Sequence, residues 1–463
     1  MSAADSNSAL RRGVYLIIAS IALGGMLGRI LAVNAVDKIE IDKSRTKNGK
    51  PLLQRPFLSA NDRSRWCTVR ALVELGTYQI DEIIAQPNWD TIDMVKRPDD
   101  GHLYSSKPPL FPTLMAGEYW IIHRLTGRTL GTHPYEIGRF MLITINVLPL
   151  LLYFAIVARW VERYGATDWG RVFAFAAAAL ATFLTTFVVV INNHLPAAVC
   201  VAIATDAVLR IWIDGDQRWR WFFVAGLASS FAAAVELPAL SFAALAAAAL
   251  VWRFPRQTLT GFAPPALVVA IAALATNYAA FGTLTPAYKH KDWYDYSYMK
   301  DGRERDSYWR DRQGIDRGEP SQANYALHML VGHHGIFSLT PIWLLSVAGV
   351  ATALATHGER LRGMALAIAL LSVVCFVFYL LRPLEDRNYG GMTSGLRWSF
   401  WLIPLWTLML LPALEWVAPR AWLRWLACAL LVFSTLSVSY PTWNPWTHPW
   451  IANFLVYLDW IKF

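Results

Sequence analysis

The chain has 463 residues, of which 55% are hydrophobic and only 16% charged, where a soluble domain carries roughly 25% charged residues. That balance, together with 22 Trp, excludes a disordered chain, a collagen, a coiled coil and an ordinary soluble enzyme, and leaves a polytopic membrane protein. The excess of 42 Lys and Arg over 33 Asp and Glu is then a matter of topology rather than of nucleic-acid binding, and four Cys are too few for a disulfide scaffold.

A spanning helix needs about 20 apolar residues. In chain order the candidates lie near 14–36, 137–158, 172–191, 195–213, 221–236, 238–252, 262–284, 336–356, 363–381, 399–417 and 421–440, which makes eleven. The first follows Arg11-Arg12 with no small-residue cleavage site soon after it, and reads as an uncleaved anchor with a cytoplasmic N-terminus. The apolar stretch 108–124 begins Pro108-Pro109 and carries Pro112, Glu118 and His123, so it is expected to lie at the interface. The stretch 221–252 is too long for one crossing and is interrupted by Glu236-Leu237-Pro238, so a hairpin of two short helices is expected. With both assignments, the connectors bearing Arg159, Arg163, Arg210, Arg253, Arg362 and Arg424 share the side of the N-terminus, in the positive-inside pattern. The predicted fold is thus all-α, a single membrane domain over residues 1–463. Its outer loops are 37–136, which holds juxtamembrane helices, 285–335 and 382–398, and an aromatic tail follows from 441. An active site, if present, faces outward.

The residues that can carry chemistry cluster in those loops. Ser59-Ala60-Asn61-Asp62 precedes a helical run, in which Asp62 shares a face with Trp66, Val69 and Val73. Asp62 completes a capping box with Ser59, or serves as a general base at the interface. Tyr104-Ser105-Ser106-Lys107-Pro108-Pro109-Leu110 puts Lys107 before the interfacial helix, where it anchors the helix among headgroups or meets a phosphate. Arg139 opens the second span, and His333-His334 precede the eighth; adjacent histidines point about 100° apart on a helix and are poor co-ligands, and no structural metal is expected. Asn388-Tyr389-Gly390-Gly391 precedes Gly395-Leu396-Arg397, a turn or a close backbone approach to a ligand. Glu236 and Asp206 are acids within apolar stretches, and such acids suggest function by default. Asp214-Gly215-Asp216 matches the Asp-x-Asp of nucleotide-sugar enzymes, but its connector is too short to build a nucleotide-binding domain.

In this order the pieces resemble the type C (GT-C) glycosyltransferase superfamily, in particular protein O-mannosyltransferases and the aminoarabinose transferases of lipid A. The matching elements are Asp62 on a juxtamembrane helix, Lys107-Pro108-Pro109-Leu110, Arg139 opening a span, Asn277-Tyr278…Phe281-Gly282, Gly335-Ile336-Phe337 and Gly390-Gly391…Gly395-Leu396-Arg397. The family's usual Asp-Glu is Asp62-Arg63 here. The resemblance implies an inverting transfer of sugar from a polyprenyl phosphate to a hydroxyl of protein, lipid or polysaccharide, at the outer face of a bacterial inner membrane, without a cofactor. It implies Asp62 as general base and Lys107, Arg139, Arg387 and Arg397 at the donor phosphate. Tyr104, His333, His334 and Tyr389 are then expected around the substrate. A transporter or flippase of lipid-linked sugar would instead show paired mid-membrane charges and internal repeats, and a non-catalytic assembly factor would tolerate loss of Asp62.

Overall fold

The computed structural model describes residues 3–32, 49, 57–300, 302–441 and 444–461. The expected end of the first span and most of the loop up to residue 56 therefore lie outside the described residues. In chain order, α1 (Ala3–Ala32) is followed by α2 (Ala60–Glu74), a hairpin of β1 (Met94–Lys96) and β2 (Leu103–Ser105), and α3 (Leu110–Thr126). Then come α4 (Pro134–Tyr164), α5 (Asp168–Val189), α6 (His194–Trp212), α7 (Trp219–Val235), α8 (Leu240–Arg253) and α9 (Pro255–Phe281). A second hairpin, β3 (Ser297–Lys300) and β4 (Arg303–Asp306), precedes α10 (Gln322–Leu330), α11 (Trp343–Ala355) and α12 (Arg362–Leu380). The chain closes with α13 (Arg397–Val417), α14 (Ala421–Ser439) and α15 (Trp450–Tyr457).

Eight of these helices are long and apolar enough to cross a membrane: α1, α4, α5, α6, α9, α12, α13 and α14. The apolar helices α7, α8 and α11 are shorter. The bundle is inside-out relative to a soluble protein, with Leu267, Val268 and Ile271 of α9 and Leu366, Leu370 and Val373 of α12 exposed. At its centre α13 is buried along most of its length, with Phe400 against Phe187, ring centres 5.1 Å apart, and Thr407 hydrogen-bonded to Tyr153 at 3.1 Å.

Helix limits follow local chemistry. The Ser59 hydroxyl accepts from Asp62 N at 3.0 Å and caps α2, and the Thr167 hydroxyl caps α5 by accepting from Gly170 N at 3.1 Å. Pro238 lies in a 3-10 turn, Leu237–Ala239, that separates α7 from α8 as the sequence suggests. The span expected at 336–356 is interrupted: a turn over Ile336–Leu339 ends at Thr340, and α11 starts at Trp343. Pro341 pushes the preceding residue out of the helical region, and Thr340 sits at φ −133°, ψ 71°. The stretch expected at the interface is the helix α3, which exposes Leu114, Trp120, Ile121 and Leu125.

Charges mark one end of the bundle. Arg11 pairs with Glu162 and Asp168, each at 2.8 Å, and Arg163 with Asp214 at 3.0 Å. Asp206 accepts from Arg159, from Arg210 at 2.7 Å and from Trp160 Nε1 at 2.9 Å, and Asp216 accepts from Arg218 and from Trp221 Nε1 at 2.6 Å. These acids are thus occupied in holding α4, α6 and α7 together.

Candidate functional site

Toward the other end of α6 the helices part around a cavity of about 870 Å³. The antiparallel hairpin builds one wall. Its register pairs Met94 with Ser105, so the next step outward sets Asp93 beside Ser106 and Lys107. Ser106 N donates to the Asp93 carbonyl at 3.1 Å, and the Lys107 ammonium meets the Asp93 carboxylate at 2.8 Å. Lys107 thus serves neither as a headgroup anchor nor as a cap of α3. Burial lowers its pKa, with Asp93 opposing.

On α2 the cavity face is Asn61 and Arg65, one helical turn apart. The Arg65 guanidinium donates to Asn61 Oδ1 at 2.6 Å and to Asn193 Oδ1 at 2.9 and 3.1 Å. Burial lowers its pKa to about 10, nearby Arg397 pushes the same way and Asp93, Asp62 and Glu236 oppose, so it keeps its charge at neutral pH. Arg397 enters from the start of α13. It donates to the Gly390 carbonyl at 2.7 and 2.9 Å and lies 4.9 Å from the centre of the Trp446 ring. Tyr389, Gly390 and Gly391 all have positive φ, and this left-handed run turns the Gly390 carbonyl onto the guanidinium. Among the described residues neither Arg65 nor Arg397 has a carboxylate within ion-pair distance.

Across the cavity, His194 opens α6 and Glu236 closes α7, with His194 Nδ1 2.7 Å from Glu236 Oε2. Leu237, Leu274, Leu284 and Phe378 line an apolar side of the cavity, and all four are exposed on the protein surface. Among the described residues no three His, Cys, Asp or Glu side chains converge as metal ligands.

Of the residues expected at the site, Lys107 and Arg397 line the cavity. Asp62 does not. It is buried, and its carboxylate accepts from Ile191 N at 2.8 Å, Trp66 Nε1 at 3.0 Å and Leu58 N at 3.3 Å. In this arrangement the Asp62 carboxylate is turned away from the cavity and occupied by protein donors, so a role as general base would need it to reach a substrate proton that this geometry does not bring to it. Its neighbours suit a clamp: Asn146 Nδ2 donates to the carbonyls of Val188 and Val190 at 2.8 and 3.0 Å, so Asn146 and Asp62 together fix the strand of chain leading to Asn193 and His194.

Arg139 lies outside the cavity lining, 5.6 Å from the ring centre of Tyr135, and Arg387 donates to the Pro320 carbonyl at 3.2 Å. Tyr104 donates to Asp100 at 2.7 Å and packs on Phe281. His333 stacks on His328 with ring centres 3.9 Å apart, and His334 stacks on Tyr389 at 4.9 Å. Burial lowers the pKa of His333 to about 3 and that of His334 well below its usual value, so these rings are neutral packing behind the 389–391 turn.

Arg65, Asp93 and His194 complete the cavity without having been expected there, and Glu236, marked from the sequence only as an acid in an apolar stretch, joins them. One local signal exists: His194-Leu195-Pro196 and Glu236-Leu237-Pro238 repeat the pattern of an ionisable residue before Leu-Pro at a helix junction.

No family model matches the chain, and no curated protein matches it. Among solved structures its fold is similar to that of ArnT from Cupriavidus metallidurans in the apo state, at 13% identity and a TM-score of 0.49. The match covers 91% of this chain and 62% of that one, so the chain spans less than two thirds of the length of the structure it resembles.

Proposed function

We propose that this chain is a membrane glycosyltransferase that moves a sugar from a polyprenyl phosphate to a hydroxyl, inverting the anomeric centre. The observation that carries this is the set of Arg65, Arg397 and Lys107 in one cavity, with a single carboxylate, Asp93, directly paired among them. Positive charge drawn out of water is unfavourable alone and is relieved by an anion. In glycosyl transfer from a lipid phosphate, negative charge grows on the departing phosphate oxygen, where fixed cations stabilise it most. The apolar side formed by Leu237, Leu274, Leu284 and Phe378 suits a lipid tail entering from the bilayer. The Lys107-Pro108-Pro109-Leu110 and Gly390-Gly391…Arg397 motifs support the same assignment.

In this scheme residues 1–463 work as one domain with eleven crossings, and the cavity opens on the outer face of a bacterial inner membrane. The acceptor is a hydroxyl of protein, lipid or polysaccharide that attacks the anomeric carbon directly, with no covalent sugar–enzyme intermediate.

The test is purified protein in lipid, given polyprenyl-phosphate sugars and nucleotide sugars separately. Transfer is expected from the lipid donor alone. Lys107→Ala should lower that transfer about 10²-fold, by removing a cation and leaving Asp93 to repel the phosphate. Efficient transfer from a nucleotide sugar with no lipid intermediate would refute the donor assignment.

A further inference from the structure

Five carboxylates line the cavity: Asp93, Glu236, Asp295, Glu385 and Asp386. Four have a cationic side chain against them. Asp93 meets Lys107 at 2.8 Å, Glu385 meets Lys291 at 2.5 Å, Asp386 meets Arg382 at 2.6 Å, and Asp295 meets Arg310. A carboxylate held by Lys or Arg is a weakened base, because protonation gives up that attraction. Among the described residues Glu236 alone of the five has neither a Lys nor an Arg within ion-pair distance. Its close partners are His194, with Nδ1 2.7 Å from Oε2, and the Tyr379 hydroxyl, which donates to Oε1 at 3.4 Å.

The state of His194 follows from its other nitrogen. Arg397 lies 2.8 Å from His194 Nε2, and a guanidinium can only donate. Nε2 is therefore the acceptor and the ring carries its proton on Nδ1, the nitrogen 2.7 Å from Glu236 Oε2, although that N–H is not aligned as a hydrogen bond to the carboxylate in this structure. A neutral imidazole at this distance packs against the carboxylate without neutralising it. The same Arg397 belongs to the cation set around the phosphate, so Glu236 stands one imidazole away from the leaving group.

We propose that Glu236 is the general base of the transfer and that His194 is a positioning residue holding it against Arg397. This rests on the glycosyltransferase assignment above. The acceptor oxygen bonds to the anomeric carbon as the bond from that carbon to the phosphate oxygen breaks. The bonding pair leaves on the phosphate, beside Arg65, Lys107 and Arg397, and the hydroxyl proton passes to Glu236.

The experiment uses the full chain in lipid bilayers, radiolabelled polyprenyl-phosphate hexose and pentose as donors, and envelope extract as acceptor. Binding of unlabelled polyprenyl phosphate is measured in parallel. Glu236→Ala should lower sugar discharge about 10²–10⁴-fold. Polyprenyl-phosphate binding should stay unchanged, and added formate, a small diffusible base, should restore part of the rate. His194→Ala should lower kcat with binding intact, and His194→Asn, which still offers an N–H toward Glu236, should recover part of it. Near wild-type discharge by Glu236→Ala overturns the base assignment, as does joint loss of discharge and polyprenyl-phosphate binding without formate rescue. Equal losses in His194→Ala and His194→Asn overturn the positioning role. If the wild type discharges no lipid-linked sugar while still folded, the transferase assignment falls, and this one with it.

Discussion

Asp62 has the chemistry of a base and the surroundings of a strut. In an amphipathic helix, the face shared with Trp66 and Val69 is the packing face, and Asp62 is packed there, while the polar pair Asn61 and Arg65 meets the cavity. Helical periodicity makes the grouping legible but not which group faces substrate, since that depends on what α2 lies against. Lys107 and Arg397 are legible because prolines and glycines next to them announce special backbone. Arg65, Asp93, His194 and Glu236 come from four separate segments, and only tertiary packing joins them. The consequence for Asp62 is testable. Burial raises its pKa from 3.8 to about 7, against hydrogen bonds from Ile191 and Leu58. Between those values the folded chain keeps a proton that the unfolded chain releases, so this group's contribution to stability falls as pH rises through the window. Asp62→Asn should retain sugar transfer, and its melting temperature should vary less than that of the wild type between pH 4 and 7, as thermal melts across a pH series would reveal. Asp62→Ala should cost about 1–3 kcal/mol for each donor left unpaired. Transfer abolished in a well-folded Asp62→Asn variant would return the base role to this residue.

At the scale of elements, proline placement made the α7–α8 hairpin legible, and the same residue type explains the break that hydropathy alone missed. Apolar content continues from residue 336 to 356, but Thr340-Pro341 cannot stay helical, so α11 is shorter than its apolar run. The strands escaped notice because each has only three or four residues, and β4, Arg303–Asp306, is charged and exposed. What fixes the helices against one another is close backbone approach at small residues, which matters most where lipid removes the hydrophobic drive between helices. A Cβ on Gly349 of α11 would meet the Met409 carbonyl of α13, and one on Gly226 of α7 would meet the Phe262 carbonyl next to it in α9. Gly349→Ala must therefore push α11 off α13, and a loss of about 1–3 kcal/mol in detergent stability is expected. Gly363→Ala is the control: nothing lies within 4 Å of its added Cβ, so a change within about 0.5 kcal/mol is expected. Equal melting temperatures for the two variants would mean that α11 and α13 are not locked at this contact.

Across the whole molecule, charge has two distinct arrangements. At one end Arg11, Arg159, Arg163 and Arg210 are matched by Glu162, Asp168, Asp206 and Asp214, in pairs that tie the starts and ends of helices together. At the other end the cavity gathers Arg65 and Arg397 without carboxylate partners among the described residues, next to loops rich in Tyr and Trp. Arginines matched by acids beside short connectors fit the expected positive-inside pattern, whereas those without carboxylate partners are the ones the proposed function assigns to a phosphate. Apolar run lengths and connector charges made this polarity legible, but the cavity was not, because its walls come from both halves of the chain. For the proposed transfer, orientation decides which compartment supplies the acceptor. In a chain stripped of its four cysteines, Arg305→Cys on exposed β4 should react with a membrane-impermeant thiol reagent in intact cells. His357→Cys, in the exposed connector between α11 and α12, should react only after the inner membrane is opened. Labelling of both in intact cells would place an even number of crossings between them, contrary to a single crossing by α11. Labelling of His357→Cys alone would invert the molecule and turn the cavity to the cytoplasm, where a donor assembled on the inner leaflet would reach it without first being flipped.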